Sequence, residues 1–208
     1  IKVFNKISNF LVLEKSLNEK LMPNETKTKK LNKQGKRVFS YLSADKYIIQ
    51  LGQATKIKND SPVSGDSLLQ IRLNDGKYLL AISDGMGSGP EASSESKLAV
   101  DLIEKFMESG FNYKTAIDTV NSIMAMKFNE DEKFTTMDLN LIDLYTGESE
   151  FIKIGGVVSF IKRGAKIFAI KSNSLPFGIL ESLEINEERF KLKHGDIIIS
   201  ISDGVLDI

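Results

Sequence analysis

The sequence contains no cysteine and only one histidine in its 208 residues. Without cysteine there are no disulfide bonds, thiol nucleophiles or cysteine-ligated zinc, and the composition fits a reducing compartment. The histidine, His194, would have to serve any Ser-His-Asp triad. It lies in Lys193-His194-Gly195-Asp196, which is typical of a polar turn before a strand, so we interpret it as a surface residue. Carboxylates are therefore the side chains available for chemistry.

The chain also lacks net charge and long hydrophobic runs. Lys and Arg together number 28, and so do Asp and Glu, which leaves no overall electrostatic basis for binding nucleic acid or an anionic membrane. No apolar run reaches transmembrane length, and no signal-peptide pattern is present. With 41% hydrophobic residues, the composition is typical of a soluble globular protein with one domain and an appendage.

The first 45 residues are predicted to form a separate region. Apolar residues recur at helical spacing as far as Leu21, and Pro23 would end the resulting amphipathic helix. A lysine-rich segment at 25–37 follows, which we interpret as a solvated linker. The predicted division is therefore 1–45 for a regulatory or linker helix with its basic linker, and 46–208 for the main domain.

The order of predicted elements indicates an α+β fold. Hairpin-connected strands are predicted over 68–83 and again over 135–202, with two helices between them at 88–110 and 112–128. Antiparallel strands of this kind pack as two sheets face to face. We therefore expect an antiparallel β-sandwich flanked by α-helices.

The strongest chemical signal is a Ser-Asp-Gly sequence at the end of each of two apolar runs. The first run ends in Ser83-Asp84-Gly85 and the second in Ser202-Asp203-Gly204. Each motif places one carboxylate at the end of a predicted strand, followed by a glycine that lets the backbone approach closely. Asp-Gly is also an ordinary turn dipeptide, as at Asp75-Gly76, so a purely structural role is the alternative.

A glycine-rich loop follows the first motif. It contains Gly85, Gly87 and Gly89 and leads into the first predicted helix, where Ser88 and Glu91 have capping-box spacing. The loop is also similar to a dinucleotide-binding fingerprint. That alternative requires βαβ units, whereas the later chain predicts hairpins.

The carboxylates favour a hard metal ion. Two strand-end carboxylates that meet in a fold repel each other unless one is protonated or a cation lies between them. Oxygen ligands, without cysteine and with one histidine, favour Mg²⁺ or Mn²⁺ over zinc. Two such ions can lower the pKa of a shared water and direct it at phosphorus. No arginine is identified as a phosphate ligand; Arg72 and Arg163 are candidates by charge alone.

In combination and in order, the motifs resemble those of the metal-dependent protein serine/threonine phosphatases of type 2C. The resemblance covers residues 47–208. It rests on Ser64-Gly65-Asp66-Ser67, residues 83–89, Thr136-Met137-Asp138-Leu139, residues 159–164, residues 174–179 and Ser202-Asp203-Gly204.

The resemblance implies a site with two Mn²⁺ or Mg²⁺ ions at one end of the sheets. Asp84 would bridge the ions, Gly85 would add its carbonyl, and Asp203 would complete the shell of one ion. Asp66 would hold a water on a metal or a weaker ion. For Asp138 two roles are open, as a ligand of a further metal or as a group that supports the ligands from behind.

Within that family the chain is most similar to a sporulation branch, which carries further implications. The substrate would be a phosphoserine protein, an anti-sigma factor antagonist whose dephosphorylation activates a sporulation sigma factor. Gly87, Ser88 and Gly89, with the two helices, would form a regulatory switch that responds to homodimerisation. The full-length protein would be anchored to the membrane by a missing N-terminal region, with this soluble fragment on the cytoplasmic face.

Two departures from the family pattern matter. Met86 stands where many type 2C enzymes have a histidine that can protonate the leaving group. The family also has an acidic segment beyond the last Ser-Asp-Gly, and this sequence ends before it. The chain is therefore expected to be a fragment that binds metal weakly. The alternative function is a weak or inactive phosphatase-like module for dimerisation and protein binding.

Overall fold

The computed structural model describes residues 21–23, 41–57, 61–128, 134–171, 174–180, 182–183 and 185–205. The chain divides into two compact units, Ile1–Ile48 and Ile49–Ile208. In the first unit, strand β1 (Leu21–Pro23) pairs antiparallel with β2 (Tyr41–Ser43). Most of the predicted N-terminal helix and the whole basic linker lie outside the described residues. The helix prediction is wrong for its last residues, because 21–23 form backbone pairs with β2, where an edge strand tolerates a proline.

The second unit contains two antiparallel sheets, as predicted. The five-stranded sheet has the order β3-β4-β5-β6-β9, and the three-stranded sheet has the order β10-β7-β8. The strands are β3 (Asp66–Arg72), β4 (Lys77–Asp84), β5 (Met137–Asp143), β6 (Glu148–Ile154), β7 (Ser159–Arg163), β8 (Lys166–Ile170), β9 (Asn186–Lys191) and β10 (Ile197–Ile199).

Two helices connect β4 to β5. Helix α1 spans Pro90–Glu108 and α2 spans Tyr113–Phe128. Asn112, at the start of the predicted helical segment 112–128, caps α2, since its Oδ1 accepts a hydrogen bond from the Thr115 N–H at 2.9 Å. The predicted capping box of α1 is wrong: the N-cap is Gly89, with no side-chain cap, because its φ of 86° turns the chain one residue after Ser88. No helix within the described ranges is long and apolar enough to cross a membrane.

The five-stranded sheet has one apolar and one more polar face. Because side chains alternate along a strand, Leu79, Ala81 and Leu139 face a large core that includes Ile103 of α1 and Ile117 of α2. A smaller core joins the opposite face to the three-stranded sheet, through Phe151, Ile161 and Ile170. The face towards the second sheet also carries Asp138, Asn140 and Lys153, all buried. The unit is thus three layers, with buried charge between its two sheets.

Candidate functional site

Asp66 and Asp84 lie opposite each other at one end of the five-stranded sheet. Asp66 begins β3, Asp84 ends β4, and the hairpin register pairs them directly. Directly opposed residues of an antiparallel pair have Cβ atoms about 5 Å apart, so like charges there repel. Asp203 begins a 3-10 turn, Asp203–Val205, after β10 in the other sheet. Its neighbour Ser202 donates from Oγ to Asp66 Oδ2 at 2.9 Å, which holds the second Ser-Asp-Gly motif against the start of β3.

Burial and the proximity of the other two carboxylates raise the pKa of Asp84. Burial is the largest cause, followed by a side-chain hydrogen bond with Asp203, the negative charges of Asp66 and Asp203, and a hydrogen bond with Asp66. Together they raise the pKa of Asp84 from the usual 3.8 to about 8. This end of the sheets is therefore a place where a cation would relieve repulsion between carboxylates.

A set of hydroxyl groups fixes the backbone at Asp84. Ser83 Oγ donates to the Thr136 carbonyl at 2.7 Å, and Thr135 Oγ1 donates to the Asp84 carbonyl at 2.8 Å. The Thr136 N–H donates to the same Asp84 carbonyl at 2.9 Å. The serines of the two Ser-Asp-Gly motifs therefore act differently: Ser83 fixes the strand end, whereas Ser202 orients the carboxylate of Asp66, at the start of β3.

Gly85 lies against the first turns of α1. A Cβ added at Gly85 would lie 2.0 Å from the Ala92 carbonyl oxygen, so no larger residue fits without moving the helix. Gly85 also forms a bridge with Thr135 whose hydrogen bonds involve the Asp84 carbonyl and the Met86 N–H. The Gly85 carbonyl is outside that pairing. It lies beside Gly65, together with Asp84 Oδ1: a Cβ at Gly65 would be 3.7 and 3.8 Å from these two oxygens.

The three residues predicted as a regulatory switch lie in the link between β4 and α1. Gly87 and Gly89 have φ values of 88° and 86°, a region that favours glycine. Gly87 and Ser88 are exposed, and Gly89 is the N-cap of α1. The link therefore joins Asp84 and Gly85 directly to the helical layer. Its role as a switch stays a prediction.

A cavity of about 200 Å³ opens beside the carboxylates. Asp84, Asp138 and Asp203 border it, and Gly155 and Pro176 form part of its wall. The described residues that border the cavity include no basic side chain, and Asp66 is not among them.

Neither arginine considered as a phosphate ligand borders this cavity. Arg163 makes a two-point ion pair with Asp196, with Nε to Oδ1 at 2.8 Å and Nη2 to Oδ2 at 2.6 Å. Arg72 lies at the end of β3 farthest from Asp66. His194 is exposed in the turn before β10, as predicted.

Asp138 is held by a lysine that sequence reasoning missed. Lys153 Nζ lies 2.7 Å from Asp138 Oδ2, and the two side chains are only 1% and 4% exposed. Asp138 Oδ1 is buried without a hydrogen-bond partner in the described structure. Both roles considered for Asp138 therefore stay predictions, since one of its oxygens is committed to Lys153 and the other is not. The sequence signal that could have identified Lys153 is its position as a single charged residue between the apolar residues Ile152 and Ile154 at the end of β6.

The oxygen atoms of these residues are chemically suited to bind a hard divalent cation. Carboxylates from three chain segments, the Gly85 carbonyl and the unpaired Asp138 Oδ1 are the oxygen donors that Mg²⁺ and Mn²⁺ prefer. Within the part of the chain that is described, no three acidic or histidine side chains already have the arrangement of a metal shell. Metal binding would therefore require the carboxylates to close around the ion, which the negative charges of Asp66 and Asp203 beside Asp84 favour electrostatically, and the ion would displace the proton that the raised pKa of Asp84 retains.

Comparison with solved structures defines the class of fold. The chain is similar to the PP2C phosphatase domain and regulatory-domain fragment of SpoIIE from Bacillus subtilis, with a TM-score of 0.77 and 34% identity, covering 95% of this chain and 58% of that one. It is also similar to RsbX in complex with magnesium, with a TM-score of 0.56 and 19% identity, covering 68% and 67%. At 19% identity, the similarity to RsbX is evidence of the fold alone. The fold is that of the PP2C phosphatases, as the sequence motifs predicted.

Sequence comparison identifies the family. The sequence model of stage II sporulation protein E matches residues 74–208. Stage II sporulation protein E of Priestia megaterium is 43% identical over 161 residues, which are 77% of this chain and 27% of that protein. The Bacillus subtilis protein is 40% identical over 165 residues, 79% of this chain and 20% of that protein. The chain belongs to the stage II sporulation protein E family and spans about a quarter of the length of these relatives.

Without divalent metal, we expect the Asp84→Asn variant to be more stable than the wild type at pH 8. The folded-state pKa of Asp84 is about 8 and its usual value is 3.8, so the folded state binds more protons between these values. Wild-type stability should therefore fall as the pH rises from about 4 to about 8, whereas the neutral amide of the variant removes this dependence. Because Asp84 is half-exposed, we expect a difference on the order of 1–2 kcal/mol.

Thermal denaturation in chelator at pH 5 and pH 8 measures this difference. The matched control is Asp75→Asn in the β3–β4 turn, where Asp75 Oδ1 accepts a hydrogen bond from the Lys77 N–H. If both variants show the same pH dependence as the wild type, the three carboxylates do not repel as described.

Proposed function

We propose that this chain is the catalytic domain of a metal-dependent protein serine/threonine phosphatase. The observation that carries the proposal is the meeting of Asp84, Asp66 and Asp203 at one end of two sheets. Membership of the family and the PP2C fold support it. The reaction is hydrolysis of a phosphoserine: water supplies an oxygen to phosphorus, the bond from phosphorus to the serine oxygen breaks, and the serine hydroxyl takes up a proton.

Two Mn²⁺ or Mg²⁺ ions are the proposed cofactors. Asp84, the Gly85 carbonyl and Asp203 would hold them, with Asp66 at a weaker position and Asp138 close by. When bound, the ions would neutralise phosphoryl charge and lower the pKa of a water for in-line attack. A related fold solved in complex with magnesium supports this choice. Because the described cavity has no basic lining residue, charge neutralisation of the phosphate depends on the metal.

The proposed substrate is a phosphorylated anti-sigma factor antagonist. This follows from the family, whose members carry a sporulation name, and from the motifs of the sporulation branch. Dephosphorylation of the antagonist would activate a sporulation sigma factor. The glycine link at 87–89, α1 and α2 would transmit homodimerisation to the site, since the link joins Asp84 and Gly85 to α1. A membrane-anchored full-length protein, with this domain on the cytoplasmic face, completes the proposal.

Release of phosphate from a phosphoserine antagonist protein tests the proposal. We expect release with Mn²⁺ or Mg²⁺ and at least a hundredfold lower release in chelator, because the described cavity offers no other positive charge to the phosphate. Ca²⁺ at equal concentration is the control for ionic effects. The chain should be assayed alone and within a longer protein that extends past residue 208.

The alternative is a phosphatase-like module for dimerisation and binding. The observation that favours it is that the described carboxylates do not already form a metal shell. Absence of phosphate release from the longer protein at saturating metal, with antagonist binding retained, would replace the enzyme proposal by this one.

A further inference from the structure

The proposed metal ligands come from two different sheets. Asp66 and Asp84 belong to the five-stranded sheet, whereas Asp203 follows β10 of the three-stranded sheet. A metal site built in this way depends on how the two sheets are held relative to each other at their common end. The apolar contacts between the sheets, around Phe151 and Ile161, supply non-directional packing only.

A buried polar network crosses between the sheets directly under the site. Lys153 of β6 lies opposite Asp138 of β5 in the strand register. Its Nζ lies 2.7 Å from Asp138 Oδ2 and donates to Ser159 Oγ of β7 at 2.8 Å. It also donates to the Val157 carbonyl at 2.6 Å, in the segment that leads into β7. One ammonium group therefore contacts both sheets and satisfies three acceptors.

The network continues towards Asp203. Ser159 Oγ donates to Asp138 Oδ2 and lies 3.2 Å from Ser200 Oγ, which precedes Asp203 by three residues. Ser202 in turn donates to Asp66. Residues 200–203 are therefore held at two points. Ser200 contacts Ser159, which is hydrogen-bonded to Lys153 and Asp138, and Ser202 contacts Asp66 of β3. Hydrogen bonds are directional, so this network can fix a position that apolar packing leaves loose.

The network also borders the cavity. Asp138 and Asp203 both line it, and Asp138 Oδ1 is buried without a hydrogen-bond partner in the described structure. A buried ion pair is costly to desolvate and is a weak source of net stability compared with apolar residues of similar volume. The location of the Lys153–Asp138 ion pair beside the cavity therefore indicates that the pair positions other residues of the site.

We propose that Lys153 is a positioning residue of the site. It orients Asp138 and, through Ser159 and Ser200, sets where Asp203 stands relative to Asp66 and Asp84. Lys153 does not itself contact the substrate, since its side chain is only 1% exposed. The proposal rests on the proposed function for its effect on turnover, but its effect on metal affinity can be measured separately.

The test uses the double variant Asp138→Asn/Lys153→Met. Each single substitution leaves a buried charge without its partner and should lower the melting temperature, whereas the double variant removes both charges at nearly constant volume. We expect the double variant to regain most of the wild-type melting temperature in chelator. Its Mn²⁺ affinity, measured by titration calorimetry, should be about 10- to 100-fold weaker, as is typical when groups that orient metal ligands are removed. Folded Lys153→Met, which keeps the Asp138 carboxylate, should show the same weakening, so that the loss is assigned to Lys153 and not to removal of a carboxylate.

Turnover gives a second readout. In the longer protein we expect kcat of the double variant to fall about tenfold or more at saturating Mn²⁺, with KM for the phosphoprotein nearly unchanged, because the Lys153 side chain is buried and offers no surface to a protein substrate. The matched control is Arg163→Met/Asp196→Asn, which removes the ion pair at the opposite end of β7 and β10. This control should keep the Mn²⁺ affinity and kcat of the wild type.

The outcomes separate the two proposals. A stable double variant with wild-type Mn²⁺ affinity would overturn the positioning role, and so would a double variant as unstable as the single ones, since the pair would then be a requirement of the fold. Wild-type protein that binds Mn²⁺ but releases no phosphate would contradict the proposed function alone. The Mn²⁺ affinities of the wild type and the double variant would still test the role of Lys153. Wild-type protein that binds no Mn²⁺ would overturn both.

Discussion

Substitution of Asp84 by Asn should lower metal-dependent phosphate release at least about 1000-fold, the largest effect that we expect from any single carboxylate. Asp84 is the aspartate on which Asp66 and Asp203 both act, and its Oδ1 and the Gly85 carbonyl oxygen both lie near Gly65. A neutral amide keeps the volume but removes the charge that would bridge two cations. A thousandfold loss corresponds to about 4 kcal/mol of transition-state stabilisation, within the range that metal ions supply.

The control for this variant is another Asp-Gly dipeptide. Asp75-Gly76 forms the turn between β3 and β4 at the other end of the hairpin, and Asp75→Asn should leave phosphate release within about twofold of the wild type. Phosphate release at saturating Mn²⁺ should be measured on variants whose melting temperatures show that they are folded. An Asp84→Asn variant that retains more than a tenth of wild-type activity would exclude Asp84 as the central ligand.

Substitution of Gly85 by Ala should destabilise the protein by at least about 3 kcal/mol. The added Cβ would lie 2.0, 2.7 and 2.9 Å from the O, C and Cα atoms of Ala92. These are backbone atoms of α1, so the strain cannot be relieved by rotating a side chain; the helix must move off the end of β4. For a chain of this size, 3 kcal/mol lowers the melting temperature by about 6–12 °C.

The glycine of the second motif provides the comparison. A Cβ at Gly204 would meet no atom of the described residues within 4 Å, and Gly204 does not have a positive φ. Gly204→Ala should therefore change stability by less than about 1 kcal/mol, although its sequence context is the same Ser-Asp-Gly. Both variants are compared by thermal and denaturant unfolding without metal. Equal, small effects at the two positions would mean that α1 does not pack on Gly85 as described.

The local parts of the fold could be predicted because short sequence patterns determine them. The turn at Asn74-Asp75-Gly76 sets the β3–β4 register, and that register alone places Asp66 opposite Asp84. The α2 cap at Asn112 was also predictable, since it depends on a side chain and a backbone group three residues apart. The start of α1 was not, because the left-handed conformation of Gly89 displaced the capping box at Ser88.

The parts of the site that depend on tertiary structure could not be predicted from spacing. The contact between Ser202 and Asp66 joins residues 136 positions apart, and only the packing of the two sheets produces it. Lys153 was missed for a related reason: its partner Asp138 lies across a strand pair, and nothing in the local sequence of β6 shows where a buried ammonium finds its acceptors. The spacing of apolar residues does not show that Asp66, Asp84 and Asp203 lie together. The resemblance to known phosphatases predicted this grouping.

Titration calorimetry with Mn²⁺, on the wild type and on Asp203→Asn, tests most directly whether carboxylates from the two sheets share the metal site. We expect the wild type to bind about two ions per chain and Asp203→Asn to lose one of them or bind it at least tenfold more weakly, because Asp203 is the proposed ligand that follows β10 of the three-stranded sheet. Identical stoichiometry and affinity in the two proteins would contradict a site that spans both sheets.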